Sequence, residues 1–208
     1  MKPTGEGPYM FLTRTAHRLA LSPSDDQIRR LLDLERLLRH RAVPLGMISR
    51  SDRDRLLPRH IVDCLRAAAL LSSDDREILD LGSGSGLPGL VVAISRPDVH
   101  VGLVEPRRRR GAFLEFAAGE LGLSNVAILP HSAEDIVARA DAATARALAP
   151  LERSWALARP LLRPGGRLLY FSGPLRQAPS VPDGAASIEV AGRFPVDSPG
   201  PIVIITRE

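Results

Sequence analysis

Ile78-Leu79-Asp80-Leu81-Gly82-Ser83-Gly84-Ser85-Gly86-Leu87-Pro88-Gly89 is the stretch that decides the fold. A short apolar run ends in three alternating glycines and is followed, from Leu87 to Ser95, by helical spacing. It reads as a buried strand turning sharply into a helix. Glycine at such a turn lets the backbone come within contact distance of a ligand, while the helix start aims free N–H groups at it. A mere turn does not need three glycines spaced by two. The pattern predicts a nucleotide-type cofactor loop at Gly82, Ser83, Gly84 and Gly86.

Outward from this loop, the chain after Glu77 alternates short apolar runs with helical patterns. The runs are 78–81, 99–104, 126–129, 142–145, 168–171, 187–190 and 202–206; helices are expected over 87–95, 107–121, 133–139 and 151–162, with Gly122 and Pro164-Gly165-Gly166 ending two of them. Strand and helix in alternation predict an α/β fold: a mostly parallel seven-stranded sheet with helices on both faces. The proline-rich stretch 174–186 reads as a loop. Residues 1–76 read as a basic helical extension preceding a cofactor-binding domain over 77–208. Within the extension, 1–23 reads as a loosely held tail in which only 9–21 has helical character. Ser24 caps one amphipathic helix that Pro44 and Gly46 stop, and Ser51 can cap a second that Pro58 must bend, unless Pro58 marks its true first turn.

Gly84-Ser85-Gly86-Leu87-Pro88-Gly89 also satisfies the dinucleotide pattern G-x-G-x-x-G. The strand ends at Gly82, however, so the spacing at the turn is G-x-G-x-G, with Asp80 near the strand's end. A dinucleotide would bring an anionic pyrophosphate against that carboxylate, whereas S-adenosyl-L-methionine brings a sulfonium and an ammonium. The methyl donor is the expected cofactor. Glu105, at the end of the second strand, suits the ribose hydroxyls of either.

The chain has 208 residues, 44% of them hydrophobic, enough for one sizeable core. No apolar run reaches the roughly 18 residues of a membrane span, and Glu6, Arg14, His17 and Arg18 interrupt the start, so a cytoplasmic protein is expected. One cysteine, Cys64, excludes an internal disulfide, and the five histidines show no pairing suited to a metal. The net charge of +4 arises wholly in residues 1–76, with 14 Lys/Arg against 10 Asp/Glu; residues 77–208 hold 14 of each. Of the 28 basic residues 27 are arginine, whose planar fork suits phosphate.

Several stretches together resemble the bacterial 16S ribosomal RNA guanine-N7 methyltransferases, the glucose-inhibited division protein B family. They are 48–54, Arg59-His60-Ile61-Val62-Asp63, 80–89, Arg96-Pro97-Asp98 with Glu105-Pro106, Arg110 with Phe113-Leu114, Glu134, Arg146-Ala147 and 164–167. The resemblance implies a Rossmann-like class I methyltransferase. It places Gly82 and Leu87 at the methionine end of the cofactor, Ala133 and Glu134 beside the adenine, and Arg146 in the active cleft. Ala133 and Glu134 follow the third strand and Arg146 the fourth, at the sheet edge where ligands of open α/β sheets bind. Read as structural residues instead, Glu134 is a helix-start charge and Arg146 an ion-pair partner of Glu134 or Asp141.

The implied chemistry needs little acid–base machinery. Guanine N7 has a lone pair and no proton, so alignment and exclusion of water suffice, and no catalytic residue is assigned. No Asn/Asp-Pro-Pro-aromatic motif follows the fourth strand; Ala143-Thr144-Ala145-Arg146-Ala147 stands there, against methylation of an exocyclic amine. Arg50, Arg53, Arg59, His60 and Arg146 are candidates to meet RNA, with 16S ribosomal RNA or the small ribosomal subunit as partner and a monomer as the working form. The interleaved Asp52, Asp54 and Asp63 equally suit a solvated, internally paired helix face. The run Arg107–Arg110 opens a helix, where positive charge is locally unfavourable, which suits a phosphate contact; solvated surface is the expected role. Two alternatives remain open: a small-molecule methyltransferase of the same fold, favoured by the short segment after Gly173 and the lack of a basic tail, and a nicotinamide-dependent oxidoreductase or non-catalytic nucleotide-binding protein.

Overall fold

The computed structural model describes residues 7–175, 177–191 and 200–208. Seven strands form one sheet in the order β3-β2-β1-β4-β5-β7-β6. They are β1 (Glu77–Leu81), β2 (His100–Val104), β3 (Val126–Leu129), β4 (Ala140–Arg146), β5 (Leu162–Phe171), β6 (Ala185–Ala191) and β7 (Ile202–Arg207). The first five run parallel, and β7 is antiparallel to both β5 and β6. The chain steps outward from β1 through β2 to β3, then returns to place β4 on the other side of β1. That reversal opens a crevice at the carboxyl ends of β1 and β4.

The helical extension packs on one face of the sheet. Helix α1 (Pro8–Arg18) follows Gly7 with proline in its first turn and buries Phe11, Leu12 and Ala16. The expectation of a loose tail is therefore corrected over 8–18: apolar side chains at helical spacing find a core. Residues 1–6 of that tail, like 176 and 192–199 of the loop and final segment, lie outside the described residues. In α2 (Asp25–Leu37), Ser24 accepts from the Gln27 N–H while Gln27 accepts from the Ser24 N–H, a reciprocal cap. Ile28, Leu31 and Leu34 are buried, and a wide turn, Leu38–Ala42, prolongs the helix toward Pro44.

The second helix begins earlier than expected, with Ser49 rather than Ser51 accepting at its start. It opens as a tight 3-10 segment, Arg50–Arg55, widens into a π turn, Leu56–Ile61, and becomes regular only in α3 (Val62–Leu70). Pro58 supplies the reason: it has no N–H to donate and its ring crowds the preceding turn, so the backbone widens around it. Helices α4 (Gly89–Ser95) and α5 (Arg108–Glu120) complete this face, and α1 to α5 share one apolar core with β1 and β2.

The other face is thinner. Helix α6 (Leu151–Ala158) lays Trp155 and Ala158 on β4, β5 and β7 and ends in a 3-10 turn, Arg159–Leu161. Two expectations are corrected here. The helix expected over 133–139 is a single 3-10 turn, Ala133–Asp135, followed by extended chain: Ile136, Val137 and Ala138 are consecutive rather than helically spaced, and Val137 is 99% exposed. The short connection leaves a groove of about 460 Å³ lined by Leu79, Gly102, Ala127 and Ala138. Second, Pro164-Gly165-Gly166 does not end a helix but bulges from β5. Leu162 pairs with Ala140 and Arg167 with Ala142, so the residues between loop out. A Cβ on Gly166 would lie 2.9 Å from the Arg163 carbonyl, which explains the glycine there.

Candidate active site

The bend after β1 is left-handed at all three alternating glycines: Gly82, Gly84 and Gly86 sit at φ +68°, +57° and +86°. At Gly86 a Cβ would lie 2.4 Å from Leu90 Cδ1 and 2.7 Å from its Cγ, so packing as well as φ demands glycine; at Gly82 it would meet only the tip of Leu148, at 2.7 Å, and φ is the stronger reason. At Gly84 a Cβ would make only ordinary contacts, the nearest at 3.7 Å. The bend is pinned by its own hydrogen bonds. Ser83 donates its N–H to the Val104 carbonyl (3.0 Å) and its hydroxyl to the Asp80 carbonyl (2.8 Å), and Gly86 N–H donates to the Ser83 carbonyl (2.7 Å).

Glu105 is buried and holds this bend from β2. Its Oε2 accepts from the Gly84 N–H at 3.0 Å and its Oε1 from the Arg107 N–H at 3.0 Å, while Arg110 Nη1 stands 3.6 Å from Oε2. Asp80 behaves differently from the sequence expectation. Its carboxylate is buried, accepting from Thr144 Oγ1 at 2.7 Å and from the Gly89 N–H at 3.1 Å, and does not line the cavity. Thr144 lies opposite Asp80 in the β1–β4 register, so the carboxylate ties β1, β4 and the start of α4 together. Burial pushes its pKa up to about 6 against the pull of the hydrogen bonds. It supports the bend from behind.

In front of the bend lies a cavity of about 580 Å³. Gly82, Ser83, Gly84 and Leu87 form one wall, Arg146 and Ala147 from the end of β4 another, and Tyr170 and Phe171 from β5 a third; His60, Asp63 and the lip Met47–Ser49 close it from the helical extension. Arg146 Nη2 meets His60 Nδ1 at 2.6 Å, its Nε lies 3.8 Å from Asp63 Oδ2, and its guanidinium carbon is 5.9 Å from the centre of the Phe171 ring. Its partners are thus His60 and Asp63, not Glu134 or Asp141. Asp63 in turn accepts from Arg66 Nη1 at 2.8 Å, and both side chains are buried. Burial first, and the Arg146 cation second, hold the His60 pKa below the ordinary histidine value.

Of the expected cofactor residues, Gly82, Ser83, Gly84, Leu87 and Arg146 line the cavity; Glu105 and Gly86 shape the bend behind it. Ala133 and Glu134 sit beyond it on the turn after β3, where Glu134 is exposed and pairs with Arg153 at 2.6 Å. Among the expected substrate residues, His60 and Arg146 reach the cavity. Arg59 stands outside, 3.5 Å from Asp52, and Arg50 and Arg53 are exposed on the 3-10 segment beside the lip. Asp52, Asp63 and Arg110 also line the cavity, although the sequence reads the two aspartates as charges of a paired helix face and Arg110 as part of a surface run; all three lie in the stretches that carry the family resemblance. The lip residues Met47 and Tyr170 of β5 give no signal at all.

A mostly parallel sheet with a reversed seventh strand and a ligand-sized cavity at its glycine bend defines a Rossmann-like methyltransferase fold. Solved structures agree. The SAM-dependent O-methyltransferase of Thermotoga maritima superimposes with a TM-score of 0.53 at 18% identity, covering 70% of this chain and 64% of that one. TYW2 of M. jannaschii, solved in complex with AdoMet, gives 0.55 at 15% identity, covering 71% and 73%. Residues 27–181 match the family described as rRNA small subunit methyltransferase G, and the chain belongs to that family. The ribosomal RNA small subunit methyltransferase G of Acidothermus cellulolyticus is 44% identical over 128 residues, covering 62% of this chain and 57% of that protein. That of Frankia alni is 38% identical over 167 residues, covering 77% and 63%. The matched region thus spans less than two thirds of the length of these relatives. No helix among the described residues is long and apolar enough to cross a membrane.

Proposed function

We propose that this chain transfers a methyl group from S-adenosyl-L-methionine to N7 of a guanine in 16S ribosomal RNA, acting in the cytoplasm as a monomer on the small ribosomal subunit. The observation that carries the reading is the meeting of the glycine bend and Arg146 across one cavity, in a chain of this family. The cavity suits the cofactor. Its volume, about 580 Å³, is that of a small-molecule site, and the bend presents backbone rather than side chains, with no close contact at Gly84. Gly82, Ser83, Gly84, Gly86 and Leu87 would hold the amino-acid end. Glu105, whose carboxylate oxygens keep lone pairs beyond the two N–H groups they accept from, would take the ribose hydroxyls, and Ala133 and Glu134 would flank the adenine.

The bound cofactor supplies an electrophilic methyl carbon on a sulfonium. The protein's share is placement and dryness. Tyr170, Phe171 and Leu87 give the cavity apolar wall that excludes water, and the Arg146 fork, held from behind by His60 and Asp63, offers donors to an acceptor such as guanine O6. Guanine N7 carries its own lone pair and no proton, so a base would not be required of these residues. Arg50, Arg53 and Arg59 lie beside the lip, where the phosphates flanking an inserted base would pass.

Radiolabelled methyl transfer tests the reading, with 30S particles, protein-free 16S RNA and a metabolite extract as separate acceptors. Label in RNA, recovered as N7-methylguanosine, is expected. Label confined to the extract would install the small-molecule alternative instead.

A further inference from the structure

His60 carries an unusual set of contacts. Arginine only donates, so the 2.6 Å contact between Arg146 Nη2 and His60 Nδ1 requires a lone pair on Nδ1 and places the ring proton on Nε2. That Nε2 is buried without a hydrogen-bond partner, and Asp52 Oδ1 stands 3.6 Å away, just outside bonding reach. The charged groups facing the ring are Arg146 from β4, Asp52 and Arg59 from its own helical stretch, and, through Arg146, Asp63 on α3. Phe171 of β5 backs the guanidinium.

We propose that His60 is a positioning residue: as a neutral imidazole it accepts from Arg146 through Nδ1 and fixes the guanidinium against Phe171 with its free N–H groups toward the cavity, while the Asp52 carboxylate faces its Nε2 side at 3.6 Å. Asp63 cannot do this alone, because it lies 3.8 Å from the Arg146 Nε and already accepts from Arg66. A protonated ring would set a second cation with an N–H at the same 2.6 Å contact and expel Arg146 from its pose. The device therefore works only above the imidazole's titration, which its burial and the Arg146 cation move to lower pH. The inference deepens the RNA-methylation reading, since the acceptor that Arg146 serves is that reading's guanine.

Two measurements test it. Histidine ¹⁵N NMR of the free protein reads the tautomer without any substrate: His60 should show a protonated Nε2 and a bare Nδ1 at neutral pH, and the opposite tautomer would overturn the proposal. In methyl transfer to 16S RNA, His60→Ala should lower kcat by about ten-fold or more while the dissociation constant of S-adenosylhomocysteine stays within about two-fold. His60→Asn, whose Oδ1 reproduces the Nδ1 acceptor, should recover most of kcat and lose the acid limb of the kcat profile. Asp80 also titrates near pH 6, so an acid limb that persists in His60→Asn would overturn the proposal, as would an Asn variant no better than Ala. If His60→Ala fails to fold, the acid limbs of wild type and His60→Asn decide. A wild-type protein that methylates no RNA sinks the functional reading, and the tautomer still decides this inference.

Discussion

Glutamine in place of Glu105 tests the carboxylate that holds the glycine bend and would also take the ribose hydroxyls. The carboxylate accepts from two buried backbone donors, Gly84 N–H and Arg107 N–H, each at 3.0 Å. A glutamine amide has one acceptor oxygen, and its NH₂ would face the second N–H, so one charge-assisted bond disappears and a buried donor is left unpaired. A loss of that kind costs about 2–3 kcal/mol. The cost falls on the ordered bend, which is the conformation the cofactor needs, so it should emerge in binding as about a 30- to 140-fold weaker dissociation constant. Isothermal titration with S-adenosylhomocysteine measures this, with a thermal melt confirming that Glu105→Gln remains folded. A folded variant that binds within about two-fold of wild type would refute the reasoning that Glu105 organises the site.

Three further expectations follow from individual residues. Gly84→Ala meets nothing closer than 3.7 Å, so it should cost only the strain of φ +57°, about 1 kcal/mol by urea unfolding, yet weaken cofactor binding because a methyl group now stands at the bend's open face. Asp80 has its folded pKa raised to about 6 from 3.8, so the folded state binds the extra proton between these values and the group's charge destabilises the fold as pH rises through 6. Asp80→Asn can still pair with Thr144 and Gly89, and its stability relative to wild type should improve by about 1 kcal/mol between pH 5 and pH 8; no change with pH would show that Asp80 is charged throughout. The double variant Arg50→Ala with Arg53→Ala should flatten the salt dependence of RNA affinity by about 0.7 to 0.9 for each phosphate that is no longer neutralised, and an unchanged slope would remove these side chains from the RNA path.

The sheet and its cofactor bend are legible in the sequence because their signals are local: apolar runs of strand length, alternating glycines and a carboxylate closing β2. Less legible is whatever depends on register or distant packing. Asp80 reads as a group facing the ligand, since the sequence does not reveal that Thr144 lies opposite it and Gly89 N–H folds back onto it. The Arg146–His60 contact joins residues 86 positions apart, and neither residue's neighbours announce the other. Helical composition misleads at 133–139, where the stretch is too short to sustain a helix without a packed face, and the prolines and glycines around Phe11 and Leu12 mask two good core residues.

The most direct measurement is nucleoside mass spectrometry of 16S RNA from 30S particles lacking the modification, after incubation with the wild-type protein and S-adenosyl-L-methionine. One N7-methylguanosine per RNA, absent when the cofactor is omitted, is the predicted result. Methylated nucleosides of another kind, or none while the protein demonstrably binds the cofactor, would contradict the assignment of this cavity to guanine N7.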